Sequence, residues 1–458
     1  YSRVGIPFFP TALGALKTHA RCEQLARHAR RRCENRAGRS PRPCMRFSAF
    51  AFLAGVLAAL TASIHANPPE AIAWSSTLDI PERAIRLLPP RDALAESAPA
   101  PLVFYLQNLA APRIGAESDD TLIAELRASG HFVAVLDYEQ HPDARTPWLN
   151  RDLGKLRDDL RARKLLADQP IDHTRVYVVP SGHRLKRDVV FYRADGRTLA
   201  FDLIYPSGIS PQSPGCVLEF SCDNRDRMGN TSLSICSDTL LDGLATDGFS
   251  VAMADHPVAP PYKGLDAMPD SAWKIKAAVR TLRAELKSLG LSDRIGAAGF
   301  SRGSGMALML LTTEGMPEFE GHGEHTDESS AIQAAVVMSG RFTYLDLLET
   351  DHMIPRYEQV WGPRETHLDI WRRQGALDYL QTPTKPLFLT INITEAPDAL
   401  HQMKVLRQRL AELGNDTVFM MERTPRGHKV TLDPDILREM THYLRRQLGI
   451  AGGPPATP

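Results

Sequence analysis

Short apolar runs alternate with amphipathic segments along the second half of the chain. Runs at 216–220, 249–254, 294–299, 332–338, 386–391 and 417–421 have the length and composition of buried strands. Apolar residues recur at helical spacing at 238–247, 271–289, 402–413 and 433–448. This alternation favours a mostly parallel sheet covered by helices on both faces, so the pattern predicts an α/β fold over residues 188–450.

Residues 67–187 show part of the same pattern and are predicted to form an N-terminal α/β extension. Strand-like runs at 101–106 and 131–136 flank a helical segment at 119–129. This segment resembles residues 237–257, which indicates either a partial duplication or the general likeness of β-α-β units. A charged helix is expected at 150–167 and a strand at 176–179. Asp195-Gly196 predicts a hairpin between strands at 188–192 and 198–205.

The first 66 residues do not look like part of this fold. Residues 45–66 begin with Met45 and Arg46, continue with an apolar run and end at Ala66, the layout of a signal peptide. A membrane anchor is the alternative interpretation. Residues 1–44 are Arg-rich and are interpreted as an untranslated or disordered prefix, and residues 451–458 as a disordered tail. We therefore expect a periplasmic or secreted protein with no membrane span in its mature form.

The charge balance argues against a nucleic-acid partner. The 458 residues carry 54 basic and 54 acidic side chains, but ten basic and only two acidic ones lie before residue 45. The remainder holds 44 basic and 52 acidic groups, a net charge of −8, and such a body has no basic excess to bind phosphates. If export removes Cys22, Cys33 and Cys44 with the N-terminal segment, Cys216, Cys222 and Cys236 remain. Export permits a disulfide among these three, and the pairing is left open.

The stretch RIGAAGFSRGSGMA, residues 294–307, carries the strongest chemical signal. Gly299, Ser301 and Gly303 form the spacing G-x-S-x-G between a predicted strand and a predicted helix. A sharp strand-to-helix turn exposes a serine hydroxyl, and glycines on either side let the helix pass close to the strand. The amide of Arg302 at the helix start is placed to stabilise an oxyanion. A glycine-rich turn with a capping serine is the alternative.

This order of elements resembles the α/β-hydrolase superfamily over residues 189–448. The segment FYRADGRTLAFDLIYP is also similar to the entry hairpin of bacterial feruloyl-esterase-like and acetyl-esterase-like members. The resemblance implies an α/β-hydrolase fold, a mostly parallel central sheet flanked by helices, with a cap-like insertion at 341–385. It also implies a catalytic triad whose members follow the chain order serine, acid, histidine.

The resemblance assigns the base and the acid to loops after the last two strands. His428 lies after the strand at 417–421 and is the expected base, whereas His401, His352 and His367 fit less well. Asp398 is the expected acid, which would hold the imidazole in the required tautomer. Glu395 is kept as the reserve for that role, and Asp346 as a third choice.

The second oxyanion donor should come from the loop after the strand at 216–220. Relatives commonly have His-Gly there, but this chain has Glu219-Phe220-Ser221-Cys222-Asp223-Asn224, so the amide of Cys222 or Asp223 is expected. Side-chain chemistry also indicates candidate contacts with the substrate. Arginines near the serine suit an anionic substrate group, and aromatic residues of the insertion suit sugars or phenolic acids. The candidates are Arg225, Arg227, Arg302 and Trp361, with solvated arginines and ordinary packing of Trp361 as alternatives.

Taken together, the sequence predicts a secreted serine esterase that acts on acyl or feruloyl esters of polysaccharides. A serine peptidase of the same fold and a non-catalytic binding protein are the alternatives. Neither a cofactor nor a metal is expected to be needed. The metal-friendly residues at 321–327 lack helical spacing and are interpreted as a flexible loop.

Overall fold

The computed structural model describes residues 70–74, 83–91, 99–108, 117–138, 169–194, 196–208, 213–220, 244, 248–257, 268–428 and 433–449. They all lie within one compact unit, Pro69–Pro458. The predicted signal peptide, prefix and tail, and the helix expected at 150–167, lie outside the described residues. In the part that is described, no helix has the length and apolar character needed to cross a membrane.

The larger of two sheets has eight strands in the order β13-β12-β11-β10-β8-β9-β7-β6. Only β7 runs against the others, pairing antiparallel with both β6 and β9. The other neighbours pair in parallel, and β8 and β9 exchange places relative to chain order. The strands are β6 (His183–Ala194), β7 (Arg197–Pro206), β8 (Cys216–Phe220), β9 (Ser250–Ala254), β10 (Ile295–Phe300), β11 (Ala334–Met338), β12 (Leu387–Asn392) and β13 (Thr417–Glu422).

Helices cover both faces of this sheet, because its central strands are apolar on both sides. Ala297 and Ala298 are neighbours on β10, yet they belong to different core clusters on opposite faces. Helices α2 (Asp270–Ser288), α3 (Arg302–Thr312) and α6 (Pro397–Glu412) pack on the first face, and α7 (Pro434–Leu448) packs on the second. This arrangement confirms the predicted α/β-hydrolase fold.

The N-terminal extension forms the smaller sheet, in the order β1-β2-β4-β3-β5. Its strands are β1 (Glu70–Trp74), β2 (Arg83–Leu88), β3 (Ala100–Asn108), β4 (Phe132–Tyr138) and β5 (Ile171–Pro180), and α1 (Asp119–Ala128) connects β3 to β4. Leu102 and Phe104 share a core cluster with α7 and the larger sheet, whereas Val103 and Tyr105 pack with α1. The smaller sheet is therefore an extra layer against the α7 face.

The two β-α-β segments compared in the sequence have the same strand geometry. β3 pairs in parallel with β4, as β8 does with β9. The helix of the second segment lies mostly outside the described residues, so the duplication stays a prediction. The hairpin between β6 and β7 turns at Gly196, whose φ of +72° suits a residue without a Cβ.

The residues at 321–327 lie beside α2. His322 stacks on Trp273 with ring centroids 3.9 Å apart, and Glu324 pairs with Arg193 at 2.8 Å. Behind them, the buried Lys276 and Arg280 both reach Glu320. The polar residues of this segment therefore make side-chain contacts with α2 and β6.

Two buried histidines should make the protein sensitive to mild acid. Burial lowers the pKa of both His131 and His183 to about 4, and the charge of Arg187 adds to the effect at His131. In the unfolded chain each has a pKa near 6.5, so the unfolded state binds more protons as the pH falls from about 6.5 to about 4. We expect a loss of unfolding free energy across that window, roughly 3 kcal/mol or less for each histidine.

The measurement is the melting temperature between pH 7.5 and 4.5. Asn at position 131 or 183 keeps a polar group near the Nδ1 position but does not titrate, so each variant should flatten the profile. His325→Asn is the matched control, because His325 is exposed and its φ of 52° is one that Asn tolerates. A profile equally steep in His183→Asn and in the parent would contradict the expectation.

Candidate active site

A strained turn holds Ser301 between β10 and α3. β10 ends at Phe300 and α3 begins at Arg302, which leaves Ser301 with φ 57° and ψ −118°. This conformation is costly for a residue with a Cβ and persists only where the surroundings enforce it. The Ser301 amide donates to the carbonyl of Met338 on β11 at 3.0 Å. The side chain is thereby raised above the end of the sheet.

Three glycines make the close approach possible. A Cβ at Gly299 would lie 2.1 Å from the carbonyl carbon of Gly303, and one at Gly303 would lie 2.6 Å from the Phe220 oxygen. A Cβ at Gly340, after β11, would lie 2.7 Å from the backbone carbonyl oxygen of Ser301. These distances are far below a normal contact, so α3 can start here only because all three positions lack a side chain.

A continuous chain of hydrogen bonds links Ser301 to a buried carboxylate. His428 Nε2 lies 3.0 Å from Ser301 Oγ, and His428 Nδ1 lies 2.8 Å from Glu395 Oε2. The Phe300 ring packs beside the imidazole at 4.7 Å between centroids. The His428 side chain is half exposed, whereas the Glu395 side chain is buried. The structure thus brings Ser301 and His428 together as the sequence predicted.

The carboxylate at this position is Glu395, the reserve candidate. Burial opposes its ionisation, but hydrogen bonds from His428, the Ala396 amide and Ser339 outweigh that penalty. The pKa of Glu395 is therefore held below its usual value. An ionised acceptor fixes Nδ1–H on the imidazole and leaves Nε2 free to accept the proton of Ser301.

Asp398, the expected acid, lies elsewhere. It accepts a hydrogen bond from Arg341, which also donates to Asp351 at 2.8 Å. The physical reason is the start of α6, which begins at Pro397 rather than at the expected residue 402. Asp398 is therefore in the first helical turn, and Glu395 is the carboxylate left on the loop. The sequence Glu395-Ala396-Pro397 held that signal, because proline favours the first position of a helix.

The loop that carries His428 is held by the ends of β12 and β13. Asn392 Nδ2 donates to the buried Glu422 at 3.0 Å and to the Thr424 carbonyl at 2.8 Å. Thr394 Oγ1 accepts from the amides of Arg426 and Gly427 at 3.1 and 3.0 Å. The loop thus has fixed partners on the same strand end that presents Glu395.

The other residues considered for base and acid do not approach Ser301 in this way. His401 Nε2 contacts Asp346 Oδ1 at 2.8 Å, so these two candidates pair with each other. His367 lies before α5 (Leu368–Gln374) and its Nδ1 contacts the Thr366 hydroxyl at 2.8 Å. His352 lines the cavity described next.

A cavity of about 360 Å³ opens beside Ser301 and His428. The insertion after β11 forms one wall, with α4 (Ile354–Trp361) and α5 packed around an aromatic cluster. Tyr357 and Trp361 are stacked at 4.8 Å between centroids, and Tyr344 meets both edge-on. These three rings line the cavity, while Trp371 is fully buried behind them. The predicted role of the insertion as a cap is consistent with this placement.

Arg302 also lines the cavity, and its amide is at the positive end of α3. The other residues expected at the oxyanion and substrate sites, Cys222, Asp223, Arg225 and Arg227, lie outside the described residues.

Cys216 is a free, buried thiol in β8, and burial raises its pKa. Cys222 and Cys236, the other two candidates for a disulfide, lie outside the described residues, so their pairing stays a prediction.

One group of side chains has the composition of a cation site. Asp351, His352 and Asp398 place ligand atoms within 4.8 Å of one another. Both carboxylates, however, already accept from the Arg341 guanidinium. A metal ion would have to displace that positive charge, so among the described residues this cluster fits a structural ion pair better than a metal centre.

Comparison with known proteins finds similarity only at the level of structure. No family model matches the chain, and no curated protein matches it. A truncated carbohydrate esterase from gut microbiota has a TM-score of 0.49 and 16% identity, covering 57% of this chain and 95% of that one. A bifunctional GH43-CE protein of Bacteroides eggerthii has a TM-score of 0.49 and 19% identity, covering 58% of this chain and 38% of that one.

A thermophilic esterase from the Planctomycetes species Thermogutta terrifontis, with propionate bound, has a TM-score of 0.44 and 14% identity. The match covers 59% of this chain and 96% of that one. Two of these three similar structures are esterases.

The close packing of α3 predicts opposite effects for two substitutions on the same helix. Gly303→Ala would press a methyl group on the Phe220 carbonyl and should cost about 1–3 kcal/mol of unfolding free energy. At Gly305 the nearest atom to a Cβ is the Arg341 oxygen at 3.4 Å, so Gly305→Ala should be neutral or stabilising by about 0.5 kcal/mol. Urea unfolding of both variants checks this, and equal midpoints would contradict it.

Proposed function

We propose that this protein is a serine carboxylic-ester hydrolase that uses Ser301, His428 and Glu395 as its catalytic triad. The observation that carries the proposal is the hydrogen-bonded sequence from Ser301 Oγ through both imidazole nitrogens to Glu395 Oε2. A serine hydroxyl is a weak nucleophile unless a base takes its proton as it attacks. Here the base lies within hydrogen-bond distance and is itself oriented by a buried carboxylate.

In the proposed reaction, Ser301 Oγ attacks the ester carbonyl carbon while its proton passes to His428 Nε2. The tetrahedral intermediate then collapses, the carbon–oxygen bond to the alcohol breaks, and His428 returns the proton to the leaving alcohol. A water molecule repeats the two steps on the acyl-enzyme and releases the acid. Glu395 stays ionised throughout and stabilises the imidazolium that forms in each half-reaction.

The oxyanion of the intermediate would be stabilised by backbone amides. The Arg302 amide is the first of α3 and lies directly after the nucleophile. The second donor is proposed to be the amide of Cys222 or Asp223. β8 ends at Phe220, whose oxygen lies 2.6 Å from the Cβ position of Gly303, so the chain leaves β8 close to the serine turn.

For substrate, we propose acyl or feruloyl esters of polysaccharides, met outside the cytoplasm. The Tyr357 and Trp361 rings in the cavity wall offer flat apolar surface of the kind that stacks on sugars and phenolic rings. Arg302 lines the same cavity, and a guanidinium group suits a polar or anionic substituent. The signal-peptide pattern at 45–66 supports an exported location.

The roles of the two carboxylates can be separated by kinetics on p-nitrophenyl acetate. Ser301→Ala and His428→Ala should each lower kcat by a factor of about 10³ or more, and Glu395→Gln by about 10²–10⁴. Asp398→Asn should change kcat by less than about tenfold, because Asp398 supports Arg341 and does not touch the imidazole. Melting temperatures of all four variants serve as the control for folding.

A panel of substrates tests the substrate class with the full chain. p-Nitrophenyl butyrate, a feruloyl sugar ester, an acetylated polysaccharide and a peptide anilide are compared for Ser301-dependent hydrolysis. Turnover of the esters with an inert anilide is expected. Hydrolysis of the anilide alone would favour the peptidase, and activity on none of the compounds would favour a non-catalytic binding protein.

A further inference from the structure

The turn after β11 contains a second strained serine. Ser339 has φ 57°, is buried, and donates its amide to the Thr390 carbonyl on β12 at 3.0 Å. A positive φ at a residue with a Cβ costs free energy, so its occurrence in a buried turn calls for a compensating contact. A hydrogen bond of the Ser339 side chain provides such a contact.

The hydroxyl of Ser339 is hydrogen-bonded to the acid of the triad. Ser339 Oγ lies 3.0 Å from Glu395 Oε2, the same oxygen that lies 2.8 Å from His428 Nδ1. The Ala396 amide donates to the other oxygen at 2.9 Å. An ionised carboxylate only accepts, so the Ser339 hydroxyl is the donor. Three donors from three directions fix the rotation of the carboxylate about its last torsion.

The same turn also contacts the nucleophile. The Ser339 carbonyl accepts from the hydroxyl of Ser304, which is on α3 one turn after Ser301. The next residue, Gly340, passes so close to the backbone of Ser301 that a Cβ there would lie 2.7 Å from the Ser301 carbonyl oxygen. Residues 339–340 are therefore packed against the serine turn on one side and hydrogen-bonded to the acid on the other.

We propose that Ser339 is a positioning residue of the triad, whose hydroxyl holds Glu395 in the orientation that aligns His428 with Ser301. The proposal rests on the function proposed above, because it concerns how that site reaches its working geometry. Ser339 is buried behind Glu395 and acts through it, so it is expected to affect the chemical step rather than substrate binding.

Removing the hydroxyl has two consequences for the site. The carboxylate loses one of its three donors and gains rotational freedom, so the imidazole is aligned for a smaller fraction of the time. The negative charge left on the carboxylate is also less stabilised by hydrogen bonding, which strengthens its attraction for a protonated imidazole. The acid limb of the rate profile should therefore move to higher pH.

Other charged and titratable groups around the triad stay the same in such a variant. Those that share the cavity with Glu395 and His428 are His256, Arg302, Arg341, Tyr344, His352, Arg356, Tyr357 and Asp398. Among the described residues Ser339 Oγ is hydrogen-bonded to Glu395 and to none of these groups, so a shifted profile in a Ser339 variant reports on the Glu395 to His428 pair.

Two substitutions separate the hydroxyl from the backbone strain. Ser339→Ala removes the hydroxyl and keeps the unfavourable φ, whereas Ser339→Gly removes both. For p-nitrophenyl acetate hydrolysis we expect kcat to fall about tenfold in both variants, with KM within about twofold and the acid limb of kcat/KM shifted upward. Ser339→Gly should melt at or above the temperature of Ser339→Ala.

Two results would overturn the proposal. One is a kcat for Ser339→Gly equal to that of the parent, since the turn alone would then be sufficient. The other is a loss of kcat that varies with the loss of melting temperature in the two Ser339 variants, while the acid limb of their kcat/KM profile stays where it is in the parent. Ser301→Ala is measured in parallel: retained hydrolysis there would refute the proposed triad, whereas lost hydrolysis there with a normal Ser339→Gly would refute the role of Ser339 alone.

Discussion

The closeness with which α3 approaches the ends of the neighbouring strands controls the whole site. Ser301 occupies a costly backbone conformation, and it does so because Gly299, Gly303 and Gly340 leave no side chain in the way. The turn then places one hydroxyl above the sheet, with the start of a helix directly behind it. His428 and Glu395 can form the hydrogen-bonded chain to Ser301 only because the serine turn is fixed relative to the ends of β12 and β13.

The second constraint is the burial of a negative charge. Glu395 is buried, which by itself would favour its neutral form, and only hydrogen bonds from its surroundings keep it ionised. Those donors come from the imidazole, from the start of α6 and from the turn after β11. The carboxylate is therefore held by the residue that follows it and by two distant parts of the chain, the loop of His428 and the turn after β11, and both of these also contact Ser301.

The insertion after β11 contacts the region around Ser301 and Glu395 through ion pairs and aromatic packing. Arg341 follows the turn at once and pairs with Asp398 on α6 and with Asp351 ahead of α4. Through these two ion pairs, Arg341 connects the insertion to α6, the helix that begins just after Glu395. The aromatic rings of the insertion then form one wall of the cavity beside Ser301.

Local chemistry was enough to predict the order of strands in the larger sheet and the serine turn, because each depends on neighbours in sequence. His428 was assigned through the resemblance to the α/β-hydrolase superfamily. Apolar runs indicate buried strands, and G-x-S-x-G indicates a tight turn, wherever the chain later folds. The choice between Glu395 and Asp398 depended on where α6 begins, which Pro397 indicates in the sequence. The role of Asp398, in contrast, depended on Arg341, 57 residues away. The packing of the N-terminal sheet against the α7 face and the meeting of Ser339 with Glu395 were likewise decided only in three dimensions, since contacts between distant segments follow from packing and burial that no local pattern encodes.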